Sequence, residues 1–268
     1  MRILIGSATD KGNTKEVNQD SCLAKVERYD NHDVGFFVIC DGMGGYSEGG
    51  IASGMAIELL REWFCNKLKS IVNESNHIIL SSLIHSIENI NKEIINYSIS
   101  KKENVGTTIA ALLIIDKYYY LINVGDSRIY KISSSIVQLS LDHTYIAERV
   151  RRKEVTLEEA KRDPRRSILT QCLGIKSRIE IYKEVGKIKG KEKFLLCSDG
   201  LYNKLSEKEI FEEVMKEKYF SSETLHKCCK RFLDTVKQRN ERDNISVILV
   251  ELIDENHSFF SKIKNLFN

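Results

Sequence analysis

Proline is almost missing from this chain: Pro164 is the only one in 268 residues. That excludes Pro-rich linkers and collagen-like or mucin-like segments. The seven cysteines are odd in number and contain no C-x-x-C pair, so neither a disulfide framework nor a zinc knuckle is indicated. Cys40 in FFVIC and Cys197 in FLLCS lie in apolar runs, where a buried free thiol is the ordinary state. Neither sign of charge dominates: 41 basic against 38 acidic residues give +3, which excludes a strongly basic nucleic-acid binder and an acidic tail protein. No apolar run approaches the roughly eighteen residues of a membrane span, and MRILIGSATDKG has too short an apolar stretch for a signal-peptide core. The P-loop order G-x-x-x-x-G-K-[ST], the G-x-S-x-G elbow and H-E-x-x-H are all missing, and the six histidines never pair at ligand spacing. The expectation is a monomeric cytoplasmic protein with no nucleic-acid partner and no membrane span.

What is present is a set of short β-type runs around two long helical patterns. Arg2–Ala8, Ser21–Glu27, Phe36–Cys40, Thr107–Ile115, Tyr118–Val124, Phe194–Cys197 and Ile245–Leu252 are rich in Ile, Val, Tyr and Phe and bounded by Gly, Asp or Asn. Asp116-Lys117 separates two of them by the length of a tight antiparallel hairpin. In Ile51–Leu68, apolar residues form two adjacent rows at i, i+4, and Leu83, Ile87, Ile90, Ile94 and Tyr97 repeat the signal within Leu80–Tyr97. Strands in consecutive runs with a helical block inserted favour antiparallel sheets with helices outside over a doubly wound parallel sheet. No internal repeat or linker-like shift divides the chain, so residues 1–268 are expected to form one domain.

Most acids of a soluble chain are solvated surface. Four aspartates stand apart by position: Asp41 follows FFVIC, Asp126 follows YYYLINVG, Asp199 follows FLLCS, and Asp243 precedes NISVILVEL. In an antiparallel sheet the start of one strand lies beside the end of its neighbours, so all four can meet at one edge. Clustered carboxylates repel unless protonated or neutralised by a cation, and oxygen-only ligands select hard ions such as Mg²⁺ or Mn²⁺. The glycines of Asp41-Gly42-Met43-Gly44-Gly45 and Asp199-Gly200 allow tight turns that aim an acid or a carbonyl at such an ion.

With these residues in view, the chain resembles the metal-dependent protein phosphatases (protein phosphatase type 2C) in their compact bacterial form. The motifs run in the family's order: TDKG (9–12), NQD (18–20), DGMGG (41–45), GTT (106–108), GDSR (125–128), LDHT (141–144), LTQCLG (169–174), CSDGLY (197–202) and RDNIS (242–246). The resemblance implies an α+β fold, a four-layer α/β/β/α sandwich of two antiparallel sheets flanked by helices. It implies two core Mn²⁺ or Mg²⁺ ions held by Asp41, the Gly42 carbonyl, Asp199 and Asp243, with Asp41 bridging. Asp20 would orient water from behind, and Asp126 would complete a third, weaker site with Asp199. The implied activity is hydrolysis of phosphoserine and phosphothreonine on proteins by a metal-bridging water, in opposition to a bacterial Ser/Thr kinase.

Two positions depart from the family pattern. Lys15 stands three residues before the NQD asparagine, where an arginine usually grips the substrate phosphate; lysine keeps the charge and loses the bidentate fork. Arg2 or a flap arginine could substitute. Tyr46 follows DGMGG in place of a histidine, which takes away a candidate general acid. These departures leave room for a slow or inactive phosphoprotein-binding module of the same fold, with hydrolysis of small phosphate esters as a weaker alternative. Residues at about 143–175 match the family's flap: between Glu148 and Arg166 eight basic residues face five acidic, Thr156-Leu157-Glu158-Glu159 reads as a capped helix start, and Asp163-Pro164 ends it. Arg128 reads as an ion-pair partner and His143 as an anchor of the flap. Phe259, Phe260, Ile263, Leu266 and Phe267 recur at helical spacing, as if packed on the body.

Overall fold

The computed structural model describes residues 1–45, 48–216 and 221–253. The C-terminal aromatic spacing and Tyr46 fall outside the described residues.

Two antiparallel sheets are stacked. One has the order β1-β11-β10-β7-β8, from β1 (Arg2–Asp10), β7 (Arg128–Ile132), β8 (Ile136–Gln138), β10 (Lys193–Cys197) and β11 (Ile245–Ile253). The other has the order β2-β3-β5-β6-β9, from β2 (Asp20–Tyr29), β3 (His32–Met43), β5 (Ile109–Ile115), β6 (Tyr118–Val124) and β9 (Tyr182–Lys187), with β4 (Gly106–Thr107) paired to the end of β3. As expected, Ile115 and Tyr118 pair across a two-residue turn, with Asp116 in the left-handed region at φ 49°.

Central strands here are apolar without interruption because both of their faces are buried. In β3, Phe36, Val38 and Cys40 point to one apolar layer while Phe37 and Ile39 point to another. In β11, Val247 and Leu249 face outward to helices while Ile248 and Val250 face the other sheet. Three layers of apolar contact result, and three layers require four slabs. Helices α1 (Gly49–Glu62), α2 (Lys69–Ile71) and α3 (Asn76–Lys101) cover the β3 sheet, with a π-helical stretch over Trp63–Leu68 between the first two. Helices α6 (Asp199–Tyr202), α7 (Glu207–Met215) and α8 (Ser222–Gln238) cover the β11 sheet. The four-layer sandwich expected from the sequence is the fold observed.

Between β8 and β9 the chain leaves the sheets as an excursion carrying α4 (Tyr145–Arg151) and α5 (Leu157–Arg162). Its base is closed by the Thr144–Leu169 bridge, and Ile146 is the only residue of either helix that is buried. The Thr156 capping box is present, its hydroxyl accepting from the Glu159 N–H while the Glu159 carboxylate accepts from the Thr156 N–H. The helix stops at Arg162, and Asp163 before Pro164 is extended.

Candidate metal centre

The end of the sandwich where β2 starts and β3 finishes gathers the singled-out acids. Asp20 and Asp41 sit directly opposite each other in the β2–β3 ladder. Asp126 follows β6, Asp199 opens α6 after β10, and Asp243 stands two residues before β11. The acids thus come from both sheets, at one end of the stack rather than along one sheet's edge.

Close backbone packing aims them. A Cβ on Gly42 would lie 2.1 Å from the Gly49 carbonyl oxygen, so only glycine lets the start of α1 press against the end of β3. Gly12, in the left-handed region at φ 76°, leaves room for the Asp243 carbonyl, which a Cβ would meet at 2.2 Å. The Asp41 backbone is clamped by GTT: its N–H donates to Thr108 Oγ1 at 3.0 Å, and its carbonyl accepts from the Thr108 N–H at 2.9 Å and from Thr107 Oγ1 at 3.0 Å. Ser198 Oγ, fully buried, donates to Asp20 Oδ2 at 2.8 Å and accepts from the Ser246 N–H at 2.9 Å, tying the two sheets together behind the acids.

The electrostatics are those of a concentrated negative site. Burial, with the charge of Asp243 added, pushes Asp20 up to about 6 against opposing hydrogen bonds from Ser246 and Ser198. Burial also pushes Asp126 up to about 6, with Asp142 adding and Arg128 opposing. Asp41 is raised by burial and by Asp20, Asp199, Asp126 and Asp243; Asp199 is raised by burial and by Asp126, Asp243 and Asp20. Asp20 Oδ1 and Asp199 Oδ1 are inaccessible to water and have no hydrogen-bond partner. Two orphaned carboxylate oxygens among mutually repelling acids, all of them hard donors, fit a divalent cation such as Mg²⁺ or Mn²⁺. Among the described residues, no three histidine, cysteine, aspartate or glutamate side chains already converge closely enough to hold a metal ion.

Lys15 reaches into the same cluster. Its Nζ lies 2.9 Å from Asp243 Oδ1. Burial opposes the charge, but the hydrogen bond and charge of Asp243, with Asp41 and Asp199 beyond, hold its pKa above the ordinary value. The alternative of Arg2 is corrected by the fold: Arg2 pairs with Ile253 at the far end of β1, about 26 Å along the strand from Asp10 at the site end.

Arg128 and His143 take the structural parts expected of them. Arg128 is committed to Asp142, with Nη2 2.7 Å and Nε 3.1 Å from its carboxylate, and stacks 3.6 Å over the Tyr202 ring. His143 Nδ1 accepts from the Gly125 N–H at 3.1 Å, while its backbone carbonyl accepts from Thr170 at 2.8 Å. It pins the flap base to the loop before Asp126. In the flap, Arg149 pairs with Glu154 and Arg165 with Asp163, so part of its positive charge is spent internally.

Sequence reasoning missed Ser198 and Asn244, which carry no charge. The signal available was their adjacency to Asp199 and Asp243, together with burial that only the fold reveals.

Comparison with known proteins bears on the family and the fold. Residues 9–234 match the model of the family described as protein phosphatase 2C. The chain is 34% identical over 246 residues to the serine/threonine phosphatase stp of Listeria monocytogenes, covering 91% of this chain and 93% of that one. Among solved structures, a Streptococcus agalactiae serine/threonine phosphatase superposes with a TM-score of 0.84 at 29% identity, covering 94% and 100% of the two chains. The PstP catalytic domain in complex with two manganese ions has the same fold, with a TM-score of 0.78 at 23% identity over 94% of this chain and 99% of that one. The chain belongs to the protein phosphatase 2C family of protein phosphatases.

Proposed function

We propose that the protein is a Mn²⁺- or Mg²⁺-dependent serine/threonine phosphatase that acts on phosphoproteins. The observation that carries the reading is the convergence of Asp20, Asp41, Asp126, Asp199 and Asp243 from both sheets, with two buried carboxylate oxygens unpartnered. Asp41, the Gly42 carbonyl, Asp199 and Asp243 would hold two core ions, and Asp126 with Asp199 a third. When bound, such ions lower the pKa of water and offset charge on the transferring phosphoryl group.

The chain's own residues do the rest. Asp20, held through Oδ2 by Ser198 with its Oδ1 buried and unpartnered, would orient water that enters with the ions. Lys15, paired with Asp243, would bind a phosphate oxygen through a single charged donor. No residue need be phosphorylated in the cycle, consistent with a site built of carboxylates rather than a nucleophilic Cys or Ser. The similarity to Listeria and streptococcal serine/threonine phosphatases supports phosphoserine and phosphothreonine as the bonds cleaved. On this reading residues 1–268 act as one catalytic unit with a flap at about 143–175, working in the cytoplasm as a monomer against a Ser/Thr kinase.

Hydrolysis of a phosphothreonine peptide tests it. The rate should be high with Mn²⁺, abolished by EDTA and lowered at least a hundredfold, on the order of 3 kcal/mol of barrier, in Asp199→Asn. Equal rates in all three would defeat the metal-dependent reading, and if those rates are no higher than the uncatalysed background, a phosphoprotein-binding module of the same fold is left.

A further inference from the structure

We infer that Asn244 is a positioning residue: it clasps the loop 11–19 and thereby presents Lys15 to the substrate phosphate. The inference rests on the role proposed above for Lys15 and adds the part that holds it in place.

The loop joins β1 of one sheet to β2 of the other and contains neither helix nor strand. Lys15 sits at its middle, and a lysine on an untethered loop would lose much of its grip to conformational entropy. Asn244 is 3% exposed and uses its whole amide on this loop. Its Nδ2 donates to the Lys11 carbonyl at 2.9 Å and to the Val17 carbonyl at 3.1 Å, and its Oδ1 accepts from the Gln19 N–H at 2.9 Å. One planar group therefore spans both limbs, before and after Lys15.

The clasp is itself rigidly mounted. The Asn244 N–H donates to Asp243 Oδ1 at 2.9 Å, the same oxygen that receives Lys15 Nζ. A Cβ on Gly200 would lie 2.1 Å from the Asn244 carbonyl oxygen, so the turn into α6 packs directly on this backbone. Two donors and one acceptor on a two-bond arm are what asparagine alone offers. Aspartate would turn a carboxylate toward the Lys11 and Val17 carbonyls, and alanine would leave all three backbone groups without this partner.

The test is phosphothreonine-peptide kinetics with Mn²⁺ for Asn244→Ala, Asn244→Asp, Lys15→Met and the double variant Lys15→Met/Asn244→Ala. Tryptic cleavage after Lys11 and Lys15 and calorimetric Mn²⁺ binding accompany it. Asn244→Ala should raise KM about tenfold with kcat within about twofold, loosen the loop to trypsin and leave Mn²⁺ binding intact. On the Lys15→Met background the same substitution should raise KM no further, because it acts through Lys15. A KM effect that adds in full to that of Lys15→Met overturns the inference, as does unchanged KM and unchanged cleavage. Loss of Mn²⁺ binding and of cooperative melting in both Asn244 variants also overturns it, by showing a merely structural role. If Lys15→Met itself leaves KM unchanged, the reading of Lys15 falls first, and the clasp would then hold a loop without that task.

Discussion

At position 42 there is room for a hydrogen and nothing larger. Gly42→Ala would drive its methyl into the Gly49 carbonyl and separate α1 from the end of β3 that carries Asp41. We expect a loss of about 1–3 kcal/mol, read as a lowered midpoint of urea unfolding, together with weaker Mn²⁺ binding. A wild-type midpoint would contradict the close approach. At this scale the acids were legible in the sequence, because each stands at the edge of an apolar run. Their supports were not. Ser198 bonds to Asp20 across 178 residues, and Asn244 to Gln19 across 225, so no local pattern could signal either contact. Lys15 was legible only as a charge at a motif position. That Arg2 is no substitute for an arginine there follows from strand register, which places it at the opposite end of β1.

The elements were read best where both faces of a strand are buried. Phe36–Cys40 lies within β3 and Tyr118–Val124 coincides with β6, whereas Thr107–Ile115 is broken at Thr108, whose side chain turns to Asp41 and Ser127. Strand β9 escaped because its alternate residues, Lys183, Val185 and Lys187, are exposed and two of them are charged. Helix α8 escaped although Leu225, Cys228, Cys229, Phe232, Leu233 and Val236 are spaced for burial on one face; the periodicity was there to be counted. Helix α5 buries none of its residues, so its end is held by the Thr156–Glu159 box rather than by packing. Thr156→Ala should raise amide hydrogen exchange across 157–162 while the global melting temperature stays put. A fall in global stability of more than about 1 kcal/mol would mean that the flap is part of the cooperative core.

A second element-scale contact joins turns at the other end of the β3 sheet. His32 Nδ1 lies 2.5 Å from Asp116 Oδ2 and its Nε2 2.9 Å from Asn73 Oδ1, and these hydrogen bonds raise its pKa despite opposing desolvation. A raised histidine contributes stability that is complete below its unfolded pKa of about 6.5 and is lost as pH rises through the folded value. Wild-type stability should therefore decline above pH 6.5 by a component that His32→Gln removes. Parallel pH profiles for the two proteins would show that the contact contributes nothing.

The whole molecule is a device for bringing two sheet ends together. Three apolar layers hold the sheets and helices in register, and at one end that register places acids from β2, β3 and the start of α6 and from the loops after β6 and before β11 side by side. Such a concentration of carboxylates opposes folding by itself, and a cation bound only in the folded state would return that stability by mass action, about 2.7 kcal/mol at a hundredfold excess over Kd. The fold class was legible at this scale from the order of strands and helices and from the resemblance. The stacking that makes one site out of two sheets was not, since it depends on which face of each strand meets the other sheet. The central claim is that this acid cluster binds hard divalent cations, and calorimetric titration of the protein and of Asp41→Asn with Mn²⁺ tests it most directly. The account predicts saturable binding by the wild type and a loss of at least a hundredfold in affinity for Asp41→Asn; absence of binding, or equal binding by the two proteins, would contradict it.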